Sequence, residues 1–126
     1  MFFVEVDLHN FSFPKSNKLK KSRHFQFVYK RGKCLANSLA VLYILKGEGL
    51  QIGLAAGKKL GNAVVRNHVK RMMREAFRHH RTEIQAGYHL IWVARNKLVR
   101  ANLATYETAL LDLCRRAKIL NENANG

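Results

Sequence analysis

The chain contains one proline, Pro14, and two cysteines, Cys34 and Cys114. The thiols stand far apart and form no C-x-x-C pattern, which argues against a zinc site or a disulfide framework and leaves two reduced thiols. Long apolar runs are missing too: none approaches the roughly 20 residues of a membrane span. The opening stretch MFFVEVDLHNFSFP is apolar in places, but Glu5 and Asp7 interrupt it. It has no basic leader and no small-residue cleavage site, so it does not read as a signal peptide, and a cytoplasmic setting is expected. Neither a lipidation site nor an amphipathic anchor is visible, and no membrane partner is expected. Internal repeats and low-complexity tracts are absent.

Acidic residues are scarce, eight against 23 Lys and Arg. They are also scattered: Glu5, Asp7, Glu48, Glu75, Glu83, Glu107, Asp112 and Glu122 include no D-x-D pair. Hydrolysis by two clustered metal ions needs clustered carboxylates, so no catalytic and no metal-binding residues are expected in this chain. Six histidines offer no H-E-x-x-H spacing. His79 and His80 are neighbours on an expected helix and should point to different sides of it.

What the chain does have is positive charge, a formal +15 over 126 residues. Self-repulsion of that size is a liability without a polyanionic partner, and nucleic acid is the commonest one. The length suits one domain, and 48% hydrophobic residues suffice for an ordinary core. Residues 1–17 read as an N-terminal extension, 18–120 as the domain and 121–126 as a tail.

A short helix is predicted from Ser22 to Arg31, with Ser22 as cap, Gly32 as stop and Phe25, Val28 and Tyr29 on one side. Residues 38–46, SLAVLYILK, are apolar on both parities and read as a strand covered on both faces. Glu48-Gly49 reads as a hairpin turn, and residues 50–56 as a second strand. These are the only two strand runs visible before Gly57. The clearest helix covers 62–80, with Val69, Met72, Met73, Ala76 and Phe77 at the i, i+3, i+4, i+7, i+8 spacing. A strand follows over 88–94 and a helix over 102–117, striped by Tyr106, Leu110, Leu113, Cys114 and Ala117. Such an order makes a mixed α+β sandwich.

Burying the stripe of the 62–80 helix fixes its opposite face, which carries Asn67, Arg71, Arg74 and Arg78, with Arg66 and Lys70 flanking. Nothing acidic interrupts that row; Glu75 lies to its side. Solvated helices usually mix charge signs for i,i+4 support. A row of one sign fits a polyphosphate backbone, whose counterions it would release, and arginine suits forked phosphate contacts.

The run K-K-x-G-N-A-V-x-R-N-x-x-K-R-x-x-R-x-x-F, residues 58–77, closely resembles the signature of the bacterial ribonuclease P protein family. Leu19-Lys20-Lys21, Phe25, Val28-Tyr29-Lys30, Gly32, Ala36-Asn37 and Val41-Leu42-Tyr43 fit the same family, and the match is colinear from about residue 18 to 118. One departure is visible: the family's Arg-Asn-Arg is Arg66-Asn67-His68 here, and a neutral imidazole weakens the phosphate contact at that position near pH 7.

The resemblance implies the order αβββαβα, with a mostly antiparallel sheet and a left-handed βαβ crossover through the 62–80 helix. It implies that Arg66, Asn67, His68, Lys70, Arg71 and Arg74 bind the catalytic RNA of ribonuclease P. A separate cleft between the first helix and the sheet would hold the single-stranded 5′ leader of precursor tRNA, with Phe25, Tyr29, Val41 and Tyr43 as its residues; on charge, Lys58 and Lys59 are candidates to hold the leader's nearby phosphates. From pattern alone the four apolar members fit ordinary core better than a cleft, and Trp92 fits either core or cleft. The resemblance further implies a non-catalytic subunit of an endoribonuclease that matures tRNA 5′ ends. No cofactor would be bound by the protein alone, magnesium would be held by the RNA, and one protein would serve each RNA. Two other readings fit the charge: a structural RNA binder of the ribosomal type, and, less well, a helix-turn-helix DNA binder. The latter needs two helices joined by a tight turn, where this sequence shows strand and glycine loop before residue 62.

Overall fold

The structure, a computed structural model, describes residues 22–121, with side chains from His24 onward. The expected extension 1–17, the cap assigned to the Ser22 side chain and all but Asn121 of the tail lie outside that description. The order is α1 (Ser22–Arg31), β1 (Lys33–Ala36), β2 (Ala40–Lys46), β3 (Leu50–Ala55), α2 (Ala63–His80), β4 (Tyr88–Ala94) and α3 (Leu103–Arg116). It is an α+β fold in the αβββαβα order.

The sheet runs β1-β2-β4-β3, with β1–β2 and β2–β4 antiparallel and β3–β4 parallel. This corrects the hairpin expected at Glu48-Gly49. β4 lies between β2 and β3, and the turn joins non-neighbouring strands. Gly49 does adopt a positive φ of 71°, but its carbonyl accepts hydrogen bonds from the backbone of Gly87 and Tyr88, which clips the turn to the start of β4. The third early strand, invisible in the sequence, is β1. It is four residues long, at the sheet edge, and mostly exposed, so it carries no burial pattern to read.

α1 ends where Gly32 must be glycine. A Cβ there would lie 2.6 Å from the Val28 carbonyl oxygen and 3.0 Å from that of Ile44. α2 and α3 start at Asn62 and Asn102, whose side-chain oxygens accept from the backbone N–H of Val65 and Thr105.

The main core lies between the sheet and the α2/α3 layer. Leu42, Ile52, Leu54, Leu90 and Trp92 meet Val69, Met73, Phe77, Tyr106, Leu110 and Leu113 there. Tyr106 donates its hydroxyl to the Leu98 carbonyl at 2.6 Å, and burial pushes that phenol up to about 12. The other sheet face packs a smaller cluster, Phe25 and Val28 of α1 against Ala55, Ile91 and Val93. α1 is short, so Val41, Tyr43 and Leu45 on this face are only partly covered. The expectation that 38–46 is covered on both faces therefore holds for one face only.

Asn37 ties the β1–β2 turn to α3. Its side-chain oxygen accepts from the backbone N–H of Leu39 and Ala40, at 2.9 and 2.8 Å. Its amide donates to Asp112 Oδ2 at 3.0 Å and to the Ala109 carbonyl at 3.3 Å. Replacing it strands half-buried backbone groups on two elements, so Asn37→Ala is expected to destabilise the fold by roughly 1–3 kcal/mol. Urea unfolding checks this; a midpoint equal to that of the wild type would refute the clasp.

Candidate nucleic-acid interface

α2 divides its residues by angle. At about 100° per residue, Val69, Met73, Ala76 and Phe77 share one side, and all four are fully buried. Asn67, His68 and Arg71 face away and are exposed, while Arg66 and Arg74 are half-buried at the border. Among the described residues Arg71 has no ion pair.

Lys70 departs from expectation. It was placed beside the exposed row but is 5% exposed. The helical wheel explains it: Lys70 and Phe77 are seven residues apart, within about 20° of each other. A lysine at that angle lays its aliphatic stem along the apolar side of the helix. Lys70, Arg66 and Arg74 are also already engaged by partners within the protein.

The cationic row is also shorter than the sequence implied. Arg78 pairs with Glu75 through two nitrogens, one of them at 3.2 Å. The Arg78 guanidinium holds the Glu75 carboxyl below its usual range, chiefly by hydrogen bonding. Contrary to expectation, His79 and His80 converge: His79 Nδ1 and His80 Nε2 lie 2.9 and 3.2 Å from the same oxygen, Glu107 Oε2 on α3. The reason is that His80 has left helical geometry, at φ −121° and ψ 5°, which swings its ring toward its neighbour's side. His80 Nδ1 is also 2.5 Å from Glu83, and His79 Nε2 is 3.1 Å from Glu75. The C-terminal end of α2 is thus a mixed-sign clasp onto α3, and the exposed Arg71 lies outside it, near the middle of the helix. Among the described residues no three His, Cys, Asp or Glu side chains are arranged to hold a metal ion.

On the α1 side of the sheet the four expected cleft residues separate. Phe25 is 3% exposed and belongs to the core with Val28 and Ile91. It fills the centre of the α1–sheet contact, so in this arrangement it presents no face to a base. Trp92 is fully buried on the opposite side. Tyr29, Val41 and Tyr43 remain half-exposed, and the two tyrosine rings meet with centroids 4.6 Å apart at 55°. Burial, then hydrogen bonds with Tyr29 and the Cys34 thiol, hold the Tyr43 phenol well above its usual range. Lys58 and Lys59 are exposed on the short 3-10 turn that follows β3, before α2.

A family model described as Ribonuclease P matches residues 13–118. The chain belongs to the ribonuclease P protein family. It is 37% identical over 108 residues to the ribonuclease P protein component of Alkaliphilus metalliredigens, covering 84% of this chain and 97% of that protein. It is 40% identical over 111 residues to that of Brevibacillus brevis, covering 86% and 88%. Its fold matches the Staphylococcus aureus RNase P protein with a TM-score of 0.75 at 33% identity, covering 85% of this chain and 100% of that one. The Thermotoga maritima RNase P protein matches with a TM-score of 0.71 at 31% identity, covering 79% and 96%. The chain is accordingly the protein subunit of ribonuclease P, an RNA-binding component of the tRNA-processing holoenzyme.

In this ribonuclease P protein, α1 is pinned to the sheet by a contact that no sequence pattern announces. His24 Nε2 lies 2.6 Å from His89 Nδ1, and His89 Nε2 lies 2.8 Å from the Glu48 carbonyl. That carbonyl can only accept, so His89 Nε2–H donates to it. His89 is buried beneath Gly47, where a Cβ would come within 2.5 Å of its ring.

Burial, then the electrostatic repulsion of His89, hold His24 below its ordinary value of 6.5. The unfolded chain therefore binds more protons than the folded one just below that pH, and stability falls as the pH drops from 6.5 toward the folded value. His24→Gln keeps a neutral donor and is expected to flatten this dependence. Thermal melts of both proteins between pH 7 and pH 5 check it; parallel curves would refute it.

Proposed function

We propose that the two surfaces divide the work of the subunit. The N-terminal half of α2, with Asn67, His68 and Arg71 outward and Arg66 at the border, binds the catalytic RNA together with Arg74 one turn on. The half-open face formed by Tyr29, Val41 and Tyr43, with Lys58 and Lys59, receives the 5′ leader of precursor tRNA. One protein serves each RNA, in the cytoplasm, and the domain spans residues 18–120. The observation that carries this reading is Arg71, exposed and without an ion pair among the described residues, on a helix whose other side is locked into the core. A phosphate beside it gains a forked donor without displacing a carboxylate.

The leader face suits a substrate that varies in sequence. Aromatic rings accept any base by stacking, and half-exposed tyrosines keep a hydroxyl in water. Lys70 and Phe25 drop out of the direct contacts because they are buried. Magnesium, held by the RNA, would supply the activated water for phosphodiester cleavage. This chain's residues would position the RNA and retain the leader.

The test is leader removal from precursor tRNA with protein, catalytic RNA, or both, at low magnesium. Protein alone is expected to cleave nothing and to restore cleavage when added to the RNA. Failure to stimulate would overturn the reading. Arg71→Ala is expected to lower the magnitude of the log–log salt slope for catalytic-RNA binding by about 0.7–0.9, and Arg78→Ala, already paired to Glu75, by less. Equal effects would remove α2's N-terminal half as the contact. Tyr29→Ala is expected to weaken precursor tRNA binding while sparing mature tRNA, and equal losses for both would move the leader elsewhere.

A further inference from the structure

Phe27 is half-exposed, at 50%, one of two large hydrophobic side chains so exposed among the described residues. It lies on α1, two residues from Phe25, and so on a different side of the helix from the leader face. Its ring is not alone. His24, one turn earlier, stacks near parallel to it, with centroids 6.3 Å apart at 21°. Arg31, one turn later, holds its guanidinium carbon 6.0 Å from the ring centroid. Three planar groups at positions 24, 27 and 31 thus follow one stripe of α1.

That stripe is ordered and cationic. His24 is anchored to the sheet through His89 and so holds its ring in place beside Phe27. α1, SRHFQFVYKR, contains no acidic residue, and Lys30 and Arg31 are exposed. An aromatic ring left in water beside an arginine, in a chain of formal charge +15, is complementary to a flat, electron-rich group attached to a phosphate.

We propose that the His24–Phe27–Arg31 stripe is a second stacking site, for an unpaired nucleobase of RNA, with Lys30 and Arg31 holding the adjoining phosphate. The base lies on the open part of the Phe27 ring, next to the guanidinium that sits over that ring. The site deepens the RNA-binding reading above and rests on it. It is distinct from the Tyr29–Tyr43 face, because α1 separates the two.

The test uses the full chain with Phe27→Ala, Phe27→Leu and Phe27→Trp, each shown to fold by circular dichroism. Two arms separate the sources of the base. One measures binding to catalytic RNA alone. The other measures binding to precursor tRNAs whose leaders differ in length. In the arm that supplies the base, Phe27→Ala and Phe27→Leu are each expected to lose roughly 5- to 150-fold in affinity. Phe27→Trp is expected to keep wild-type affinity, and its exposed indole to be quenched when RNA binds. A Phe27→Leu protein that binds like wild type in both arms overturns the proposal, since leucine keeps the apolar bulk without a π face. So does an unquenched tryptophan at position 27. Stimulation of the catalytic RNA by the wild-type protein reports on the parent reading separately, so its failure and the failure of this site are told apart.

Discussion

One helix has to leave the end of β3 and deliver the chain to the start of β4, its parallel neighbour, and the rest of the structure depends on how that helix lies. Both strands are central to the core, so α2 crosses pressed onto the sheet with Val69, Met73, Ala76 and Phe77 inward. Fully burying side chains the size of Val, Met or Phe contributes roughly 1.5–3 kcal/mol each. That is enough to hold one orientation against the mutual repulsion of Arg71, Arg74 and their neighbours. The cationic face is therefore a consequence of packing, available to a polyanion without rearrangement.

Much of this was legible because α2 is long and buried on one side, which is where a period of 3.6 is most informative. The same pattern misled at Lys70. A charged residue was assigned outward by its chemistry, whereas its angular position beside Phe77 decides its burial. β1 was illegible for a physical reason: a short exposed edge strand, KCLA, has no buried face to impose alternation. The hairpin misreading has another source. Glu48-Gly49 has real turn chemistry, and Gly49 uses it, but whether the flanking strands pair depends on β4, some forty residues further on.

The α1 side repeats the contrast. Strand parity correctly grouped Val41 with Tyr43, and helical spacing correctly grouped Phe25 with Tyr29. Neither distinguishes the centre of a helix–sheet contact from its rim. Phe25 falls at the centre and becomes core, while Tyr29 falls at the rim and stays half-open. The His24–His89 contact spans 65 residues and has no local signature at all. Nor does the role of Phe27, whose exposure is known only once the packing of α1 is known.

Charge along α2 follows from the same geometry. Three of the described acidic residues, Glu75, Glu83 and Glu107, gather around Arg78, His79 and His80 at the helix C-terminus. The basic side chains there also answer the negative end of the helix dipole. The opposite end carries the positive end of that dipole and an asparagine cap in place of an acid, and the exposed Asn67, His68 and Arg71 follow toward the helix middle. At the C-terminal turns, acids and bases largely neutralise one another. A uniform charge of +15 would attract RNA without orienting it. On the proposed RNA contact, the acids that tie α2 to α3 would also mark the end of the cationic row.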